Sequence, residues 1–382
     1  MKPRRIHITA VGSPTRGELQ RLTAGLELSP TKQRGKAEKS FDTEIRQLAA
    51  LASEAVGPNY RITINADLLT AEEDDRNAGR NDDEARAAEI QSLLADDDVT
   101  ALVTLRGGAW FVRLLDRIDF SVLEKRKRPL HIFGFSEMTP LVNIAGQYRQ
   151  AIGLYDLGPG FLYAGVKRHV QMNIERYARG IELSADQHEA FAAGWALARF
   201  RAGMADFFRD VVSIVEGLGC SRVPKGRLLA GRLPARSTIR IVGGNLSLTL
   251  PMMGTPYAPA FDTTGKWLAL EEVNESPEQC DRMIAGLKHN GLLERAEGII
   301  LGDFHSSKDG AFVPAVVRML KYHLPASRKT PIVQIDNFGH IWPIAPLPMH
   351  RDVILRHTPA SGEVRIEIPW DEWTEKGLRP ET

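Results

Sequence analysis

Over its first 160 residues the chain alternates short apolar runs with helical stretches, and that alternation restricts its fold more than any other feature. RIHITAV (5–11), YRITINADLL (60–69), VTALVTL (99–105) and LHIFGF (130–135) read as strands. SFDTEIRQLAALASEAV (40–56) sets Ile45, Leu48 and Leu51 near one helical face, with Ser40 or Asp42 as N-cap. NDDEARAAEIQSLLADDD (81–98) has an acidic first turn, which suits a helix dipole. FVRLLDRIDFSVL (111–123) is amphipathic, and PLVNIAGQY (140–148) opens another helix. Strands spaced by helices predict a parallel α/β sheet, and the β-branched, apolar VTALVTL fits a strand covered on both faces. Ligand sites in such sheets form at the carboxyl ends of strands. Gly107-Gly108 and Ser136 fall at such ends.

The pattern then changes. Residues 161–220 are rich in Ala and Phe and read as helical, as in DQHEAFAAGWALARFRAGMADFFRDVVSIVEGL. Beyond about 225, short strands and loops take over: RLLAGRL, STIRIVGGNLSLTLPMMGTP, WLALEEV, GIILGDF and PIVQIDNFGH. The expected layout is a parallel α/β domain over 1–165, a helical segment over 166–224, and a β-rich α/β domain over 225–382. A net charge of +1 gives no electrostatic reason to expect nucleic acid or an anionic membrane as partner. Cys220 and Cys280 form no CxxC or zinc pattern, so a reduced compartment is the simpler reading. No run approaches the roughly 18 apolar residues of a membrane helix. The basic start MKPRRIHITAVGSPTRG is too short and polar for a signal peptide. The chain therefore reads as cytoplasmic.

Several motifs carry chemistry, each with a plainer alternative. In HIFGFSEMTP (131–140) a buried strand ends on Ser136. A sharp strand-to-helix turn would hold its oxygen out as a nucleophile, whereas an ordinary turn would use Ser or Thr as a helix cap. The second glycine of G-x-S-x-G is missing. In TLRGGAW (104–110) the glycine pair either brings backbone N–H groups to an oxyanion or simply makes a turn. IVGGNLSLTLPMMGTP (241–256) lines a pocket through Asn245 and Ser247, or is a structural loop. WLALEEVNE (267–275) ends an apolar strand on Glu271 and Glu272, and a buried carboxylate there needs a partner such as histidine. His340, in NFGHIWPIAPLP (337–348), follows a glycine at a strand end, with His305 as competitor. No H-E-x-x-H spacing points to a catalytic metal. The basic run EKRKRP (124–129) reads as a solvated helix end. Serine, carboxylate and histidine at strand ends suit a nucleophile, its base and an orienting acid. Spacing leaves Glu271, Glu272 and Asp336 open as the acid, and His340 and His305 as the base.

Five blocks in order resemble the LD-carboxypeptidase family, whose members include murein tetrapeptide carboxypeptidases and microcin-C immunity peptidases. Residues 81–108 resemble its D-x-x-R-A…r-G-G segment, and residues 110–141 its r-L-L…G-[FY]-S-D-x-T-x-L stretch. Residues 243–256 resemble G-G-N-L-s…G-T-P, residues 268–304 resemble l-E-D…G-i-i-x-G-x-F, and residues 331–350 resemble f-G-H…l-P-x-G. The resemblance implies a glutamine-amidotransferase-like N-terminal domain carrying the nucleophile Ser136, and a C-terminal domain carrying the acid Glu271 and the base His340. It implies oxyanion N–H groups from Gly107 or Gly108 and from Glu137, no metal or other cofactor, and a cytoplasmic homodimer acting on a small muropeptide. The implied reaction is hydrolysis of an L,D-amide, releasing terminal D-alanine from murein tetrapeptide in wall recycling. Arg106 and Arg113 are proposed for the substrate carboxylate, and Trp110 and Asn245 as further substrate contacts. The alternatives are a peptidase for a peptide-nucleotide antibiotic, with Trp110 stacking on the base, and a binding protein without turnover. The chain departs from the family pattern at Glu137 for Asp, Glu272 for Asp, Ala109-Trp110 for Tyr-Gly, and Met349-His350 at the closing glycine. Its helical segment is also longer. These departures bear on the substrate more than on the chemistry.

Overall fold

The structure, a computed structural model, describes residues 3–12, 48–65, 68, 82–306, 308, 310–325 and 327–378. The expected strands β1 (Arg4–Thr9), β2 (Tyr60–Ile64), β3 (Val99–Thr104) and β4 (Leu130–Gly134), with a further strand β5 (Ala151–Tyr155) that the sequence reading did not single out, form one parallel sheet. Every residue of β3, β4 and β5 is buried, which explains their unbroken apolar sequences. A late strand, β12 (Leu347–Met349), pairs antiparallel with β5 and gives the order β12-β5-β4-β3-β1-β2. Helices α1 (Asp83–Ala95) and α2 (Thr139–Gly146) fall where the periodicity predicts. Residues 48–56 are helical. The proposed face residue Ile45 and the proposed caps Ser40 and Asp42 lie outside the described residues.

Two local expectations are corrected. The amphipathic stretch 111–123 is two 3-10 turns, Val112–Arg117 and Phe120–Lys125. They are separated by extended backbone at Ile118 and Asp119, and Asp119 accepts a 2.9 Å bond from Ser121 N that starts the second turn. In the basic run, Arg126 is buried rather than solvated. Its guanidinium donates to the carbonyls of Leu94, Asp96 and Val99 at 3.0, 2.9 and 2.6 Å, closing the end of α1 onto β3. Burial draws its pKa down to about 10, so it stays charged at neutral pH.

The helical segment folds as α3 (Pro159–Met172) and α4 (Ala185–Val215), which pack along each other. A capping box between Ser184 and Gln187 starts α4.

The second half is more closed than a β-rich sequence alone suggests. Its strands are β6 (Lys225–Ala230), β7 (Arg236–Asn245), β8 (Trp267–Val273), β9 (Gly298–Ser306), β10 (Gly310–Ala311), β11 (Ile332–Ile335), β13 (Asp352–Thr358) and β14 (Glu363–Glu367). They run in the order β10-β9-β11-β6-β14-β13-β7-β8, and β8 pairs again with β9. That last pairing closes the strands from β9 to β8 into a barrel and leaves the two-residue β10 as a short edge on β9. Helices α5 (Pro277–His289) and α6 (Val313–His323) cover an apolar cluster that includes Leu270, Ile284, Leu301 and Val316.

The two sheets share one core, in which Phe133 and Leu154 of the first join Ile241 and Trp267 of the second. A polar seam fixes their register. Asn143 of α2 donates to Gly243 O at 2.8 Å and accepts from Gly243 N at 3.0 Å. Among the described residues no helix is long and apolar enough to cross a membrane.

Candidate active site

Ser136 stands just past the carboxyl end of β4 with φ 56°, in the left-handed region. For a non-glycine residue this backbone is strained by about 1–2 kcal/mol and persists only when its surroundings hold it. Ser136 N donates to Tyr155 Oη at 3.0 Å, and Ser136 O accepts from Thr139 Oγ1 at 2.7 Å. The turn is therefore not a plain cap, because no side-chain cap bond starts α2. Thr139 Oγ1 instead accepts from Asn245 N at 3.1 Å, across the seam.

The glycine pair after β3 lies against this turn. A Cβ on Gly107 would come within 2.5 Å of Ser136 Cβ and 2.9 Å of its Oγ, so only glycine fits there. Trp110 follows with φ 67° and is half-buried. The buried Arg86 of α1 donates to Trp110 O at 3.2 Å and to Val11 O at 2.7 Å, and is also bonded to Asp83. The D-x-x-R pair thus works as a clamp on the glycine loop. Glu137 contributes more than a backbone N–H. Its buried carboxyl accepts from Phe111 N at 2.7 Å and Val112 N at 3.2 Å, tying the serine turn to that loop. Burial raises its pKa to about 7 despite those bonds.

Glu271 comes from β8, opposite Asn245 of β7. The β8–β9 register shifts between Leu270 and Glu272. Such an irregularity re-aims a side chain. Here it lets two consecutive buried carboxylates reach the same amide: Asn245 Nδ2 donates to Glu271 Oε1 at 3.1 Å and to Glu272 Oε1 at 3.3 Å. Glu271 Oε2 lies 2.7 Å from His340 Nδ1. Its Oε1 also accepts from Tyr155 Oη at 2.5 Å. Gly339 has φ 109°, and a Cβ there would lie 3.0 Å from Glu271 Oε2, so the glycine before His340 makes room for the carboxylate. The His340 ring packs on Phe135, the neighbour of Ser136, at 5.1 Å between centroids.

The electrostatics suit an ion pair. Burial alone would lower the His340 pKa, but the charge and hydrogen bond of Glu271 outweigh it and hold the imidazole above its ordinary value. Burial alone would raise Glu271, yet His340, Tyr155 and Asn245 together keep it below the usual carboxylate range. Glu272 is raised by burial and by its charged neighbour, and it is bonded to Ser247 and to Val273 N. Of the acids and bases that spacing left open, Glu271 and His340 are the two brought together. His305 is half-buried and Asp336 is exposed, with Asp336 N bonded to Lys225 O at 2.8 Å.

Two expected substrate contacts are engaged within the protein. Arg113 Nε pairs with Asp83 Oδ2 at 2.7 Å, and Asn245 is 3% exposed behind Glu271. Arg106 is half-buried in the loop after β3. Three residues escaped the sequence reading. Tyr155 ends an apolar strand and looks like core. Arg168 of α3 donates to His340 O and Asp303 Oδ2, both at 2.8 Å, so the helical segment reaches the histidine loop. Asp303 follows Gly302 in a strand, and burial raises its pKa to about 6 even beside Arg168. A polar group at the end of an apolar run is the local sign of both, at the last residue of β5 for Tyr155 and within β9 for Asp303. Among the described residues no group of three or more His, Cys, Asp or Glu could hold a metal ion.

Comparison with known proteins gives the same framework. The family model of the LD-carboxypeptidase N-terminal domain matches residues 28–155, and that of the C-terminal domain matches residues 239–355. A protein named probable murein peptide carboxypeptidase from Bacillus subtilis is 29% identical over 229 residues, covering 60% of this chain and 59% of its own length. The microcin C7 self immunity protein MccF shares the fold with a TM-score of 0.60, at 15% identity over 96% of both chains. The muramoyltetrapeptide carboxypeptidase of Oxalobacter formigenes does so with a TM-score of 0.54, at 20% identity over 94% of this chain and 98% of that one. With both family domains matched in order, and a parallel α/β half joined to a β-rich half, the chain belongs to the LD-carboxypeptidase family.

Proposed function

We propose that this protein is a serine-type carboxypeptidase that hydrolyses an L,D-amide and releases terminal D-alanine from a murein tetrapeptide. The observation that carries the reading is the 2.7 Å pair between Glu271 and His340 at the strained turn bearing Ser136, reached from three separate parts of the chain. With Nδ1 committed to Glu271, His340 serves Ser136 through Nε2. It takes the hydroxyl proton as Oγ attacks the carbonyl carbon. N–H groups of the Gly107-Gly108 loop and of Glu137 receive the oxyanion. When the tetrahedral intermediate collapses, the C–N bond breaks and His340 passes its proton to the departing amine of D-alanine. Water then attacks the acyl-serine with His340 again as base. Arg106, in the loop after β3, and Arg113, paired with Asp83, are the candidates for the substrate carboxylate. A cytoplasmic homodimer taking small peptides belongs to the same proposal.

A second reading, hydrolysis of an aminoacyl-nucleotide conjugate, is favoured by Trp110. Its left-handed backbone sets an indole beside the glycine loop, where a nucleobase could stack. A related structure is of MccF in complex with glutamyl sulfamoyl guanosine. Incubation with murein tetrapeptide, read as free D-alanine and compared with Ser136→Ala, tests the first reading. Release by wild type alone supports it. Release by both forms removes Ser136 from the mechanism. Release by neither, with cleavage of an aminoacyl sulfamoyl nucleoside by wild type, favours the second.

A further inference from the structure

Tyr155 touches both the serine turn and the acid. It is fully buried at the end of β5, where Gly134 of β4 pairs with it in the ladder. Its hydroxyl accepts from Ser136 N at 3.0 Å and donates to Glu271 Oε1 at 2.5 Å. The first partner belongs to the parallel sheet and the second to the barrel. A phenol oxygen supplies one donor and can accept, and here both capacities are used on groups the proposed reaction needs. The surroundings are cut to fit the ring. Gly244 carries φ 141°, and a Cβ there would lie 2.7 Å from Tyr155 Cε2, so this glycine near the end of β7 clears the space. Phe338 closes the other side, edge-on at 5.2 Å.

We propose that Tyr155 is a positioning residue, a single hydroxyl that holds the backbone of Ser136 in its left-handed turn and orients Glu271 toward His340. The inference rests on the triad reading above and deepens it. The chemistry follows from the two bonds. Without the acceptor, Ser136 N–H loses its partner, and the strained turn loses one of its two ties. Without the donor, Oε1 keeps only Asn245, and more negative charge is left to hold the imidazolium at Nδ1. His340 then binds its proton more tightly.

The test is Tyr155→Phe, which keeps the ring and removes only the oxygen. The first measurement is an NMR titration of the His340 imidazole in both proteins, assigned with His340→Gln; it needs no substrate. The charged groups around the pair are Glu272 on β8, Asp303 from β9 and Arg168 from α3, and all remain in the variant. The midpoint should move to higher pH by about half a unit or more, since a hydrogen bond to a charged group is stronger than one between neutral groups. The second measurement is D-alanine release. Here kcat should fall about 10- to 100-fold, with KM within about twofold. Thermal unfolding checks that the variant is folded. An unmoved midpoint, or kcat within about twofold of wild type, overturns the proposal. A wild type that releases no D-alanine while the midpoint still moves rejects the substrate reading and leaves the role of Tyr155 standing.

Discussion

His340 Nδ1 and Glu271 Oε2 meet at 2.7 Å, although 69 residues of chain separate them. The carboxylate is fully buried, so its charge reaches the imidazole with little screening. Glu271→Gln keeps the shape and removes that charge. It should lower kcat/KM by about 10³–10⁴, the scale on which orienting acids of this kind act. Steady-state kinetics of the variant would check this, and a loss under tenfold would falsify the role of Glu271.

The same pair sets the pH dependence. His340 must be neutral to accept a proton, and its pKa is raised because the Glu271 charge outweighs burial. Activity should therefore fall as pH drops through a midpoint above the ordinary imidazole value. In Glu271→Gln the raising charge is gone and burial remains, so the midpoint of residual activity should move to lower pH. A profile of kcat/KM against pH reads both.

Gly107 makes a prediction from space alone. A methyl there would lie 2.5 Å from Ser136 Cβ, and neither partner can swing away as a long side chain would. Gly107→Ala should displace the hydroxyl and cost about 10² in kcat/KM, since small misplacements of reacting groups are that expensive. The melting temperature should fall as well, since the serine turn must shift to admit the methyl. Unchanged activity and melting temperature together would count against the close approach.

Glu137 bears on stability. Its carboxyl has a pKa of about 7 in the folded protein against an ordinary 4.5, chiefly from burial. Folding therefore favours the protonated form. The stabilisation is complete below the unfolded value and is lost as pH rises through the folded one. Over that window the loss is on the order of 3 kcal/mol. Glu137→Gln retains an oxygen for Phe111 N and should flatten this slope. Unfolding followed at pH 5 and pH 8 should show the smaller difference in the variant.

Arg168 links the helical segment to the histidine loop. Arg168→Met removes the donor to His340 O and leaves Asp303 without its cation. A buried group left unpaired costs roughly 1–3 kcal/mol, so the melting point should fall. The Asp303 pKa, already raised to about 6, should rise further. A carboxyl NMR titration of Asp303 would detect that, and an unchanged value would remove Arg168 as its partner.

Much of this site was legible in the sequence because its parts sit where strands end. β3 and β4 announce themselves as apolar runs, and Gly107 and Ser136 follow them directly. The choice of Glu271 over Glu272 was not readable from spacing, because it depends on a register shift between two strands that meet only after barrel closure. Closure itself left no local mark, since each strand is short and its partners are far away. Tyr155 was hidden by its own strand, for a tyrosine among apolar residues reads as core until its hydroxyl is seen to have two partners. Arg126 misled for the opposite reason. Its neighbours Lys125, Lys127 and Arg128 are exposed, and only the folded end of α1 shows the carbonyls that draw it in.

The strand at 347–349 has a mechanical consequence. Enzymes whose reactive groups come from two lobes often work as jaws, opening to admit a substrate and biting down on it. In this molecule a strand between β11 and β13 of the barrel half is laced onto the rim of the other half, with Leu347 beside Tyr155 itself. Any wide yawn would have to unstitch that lace and drag on the tyrosine at once. That strand therefore resists separation of the two halves at Ser136.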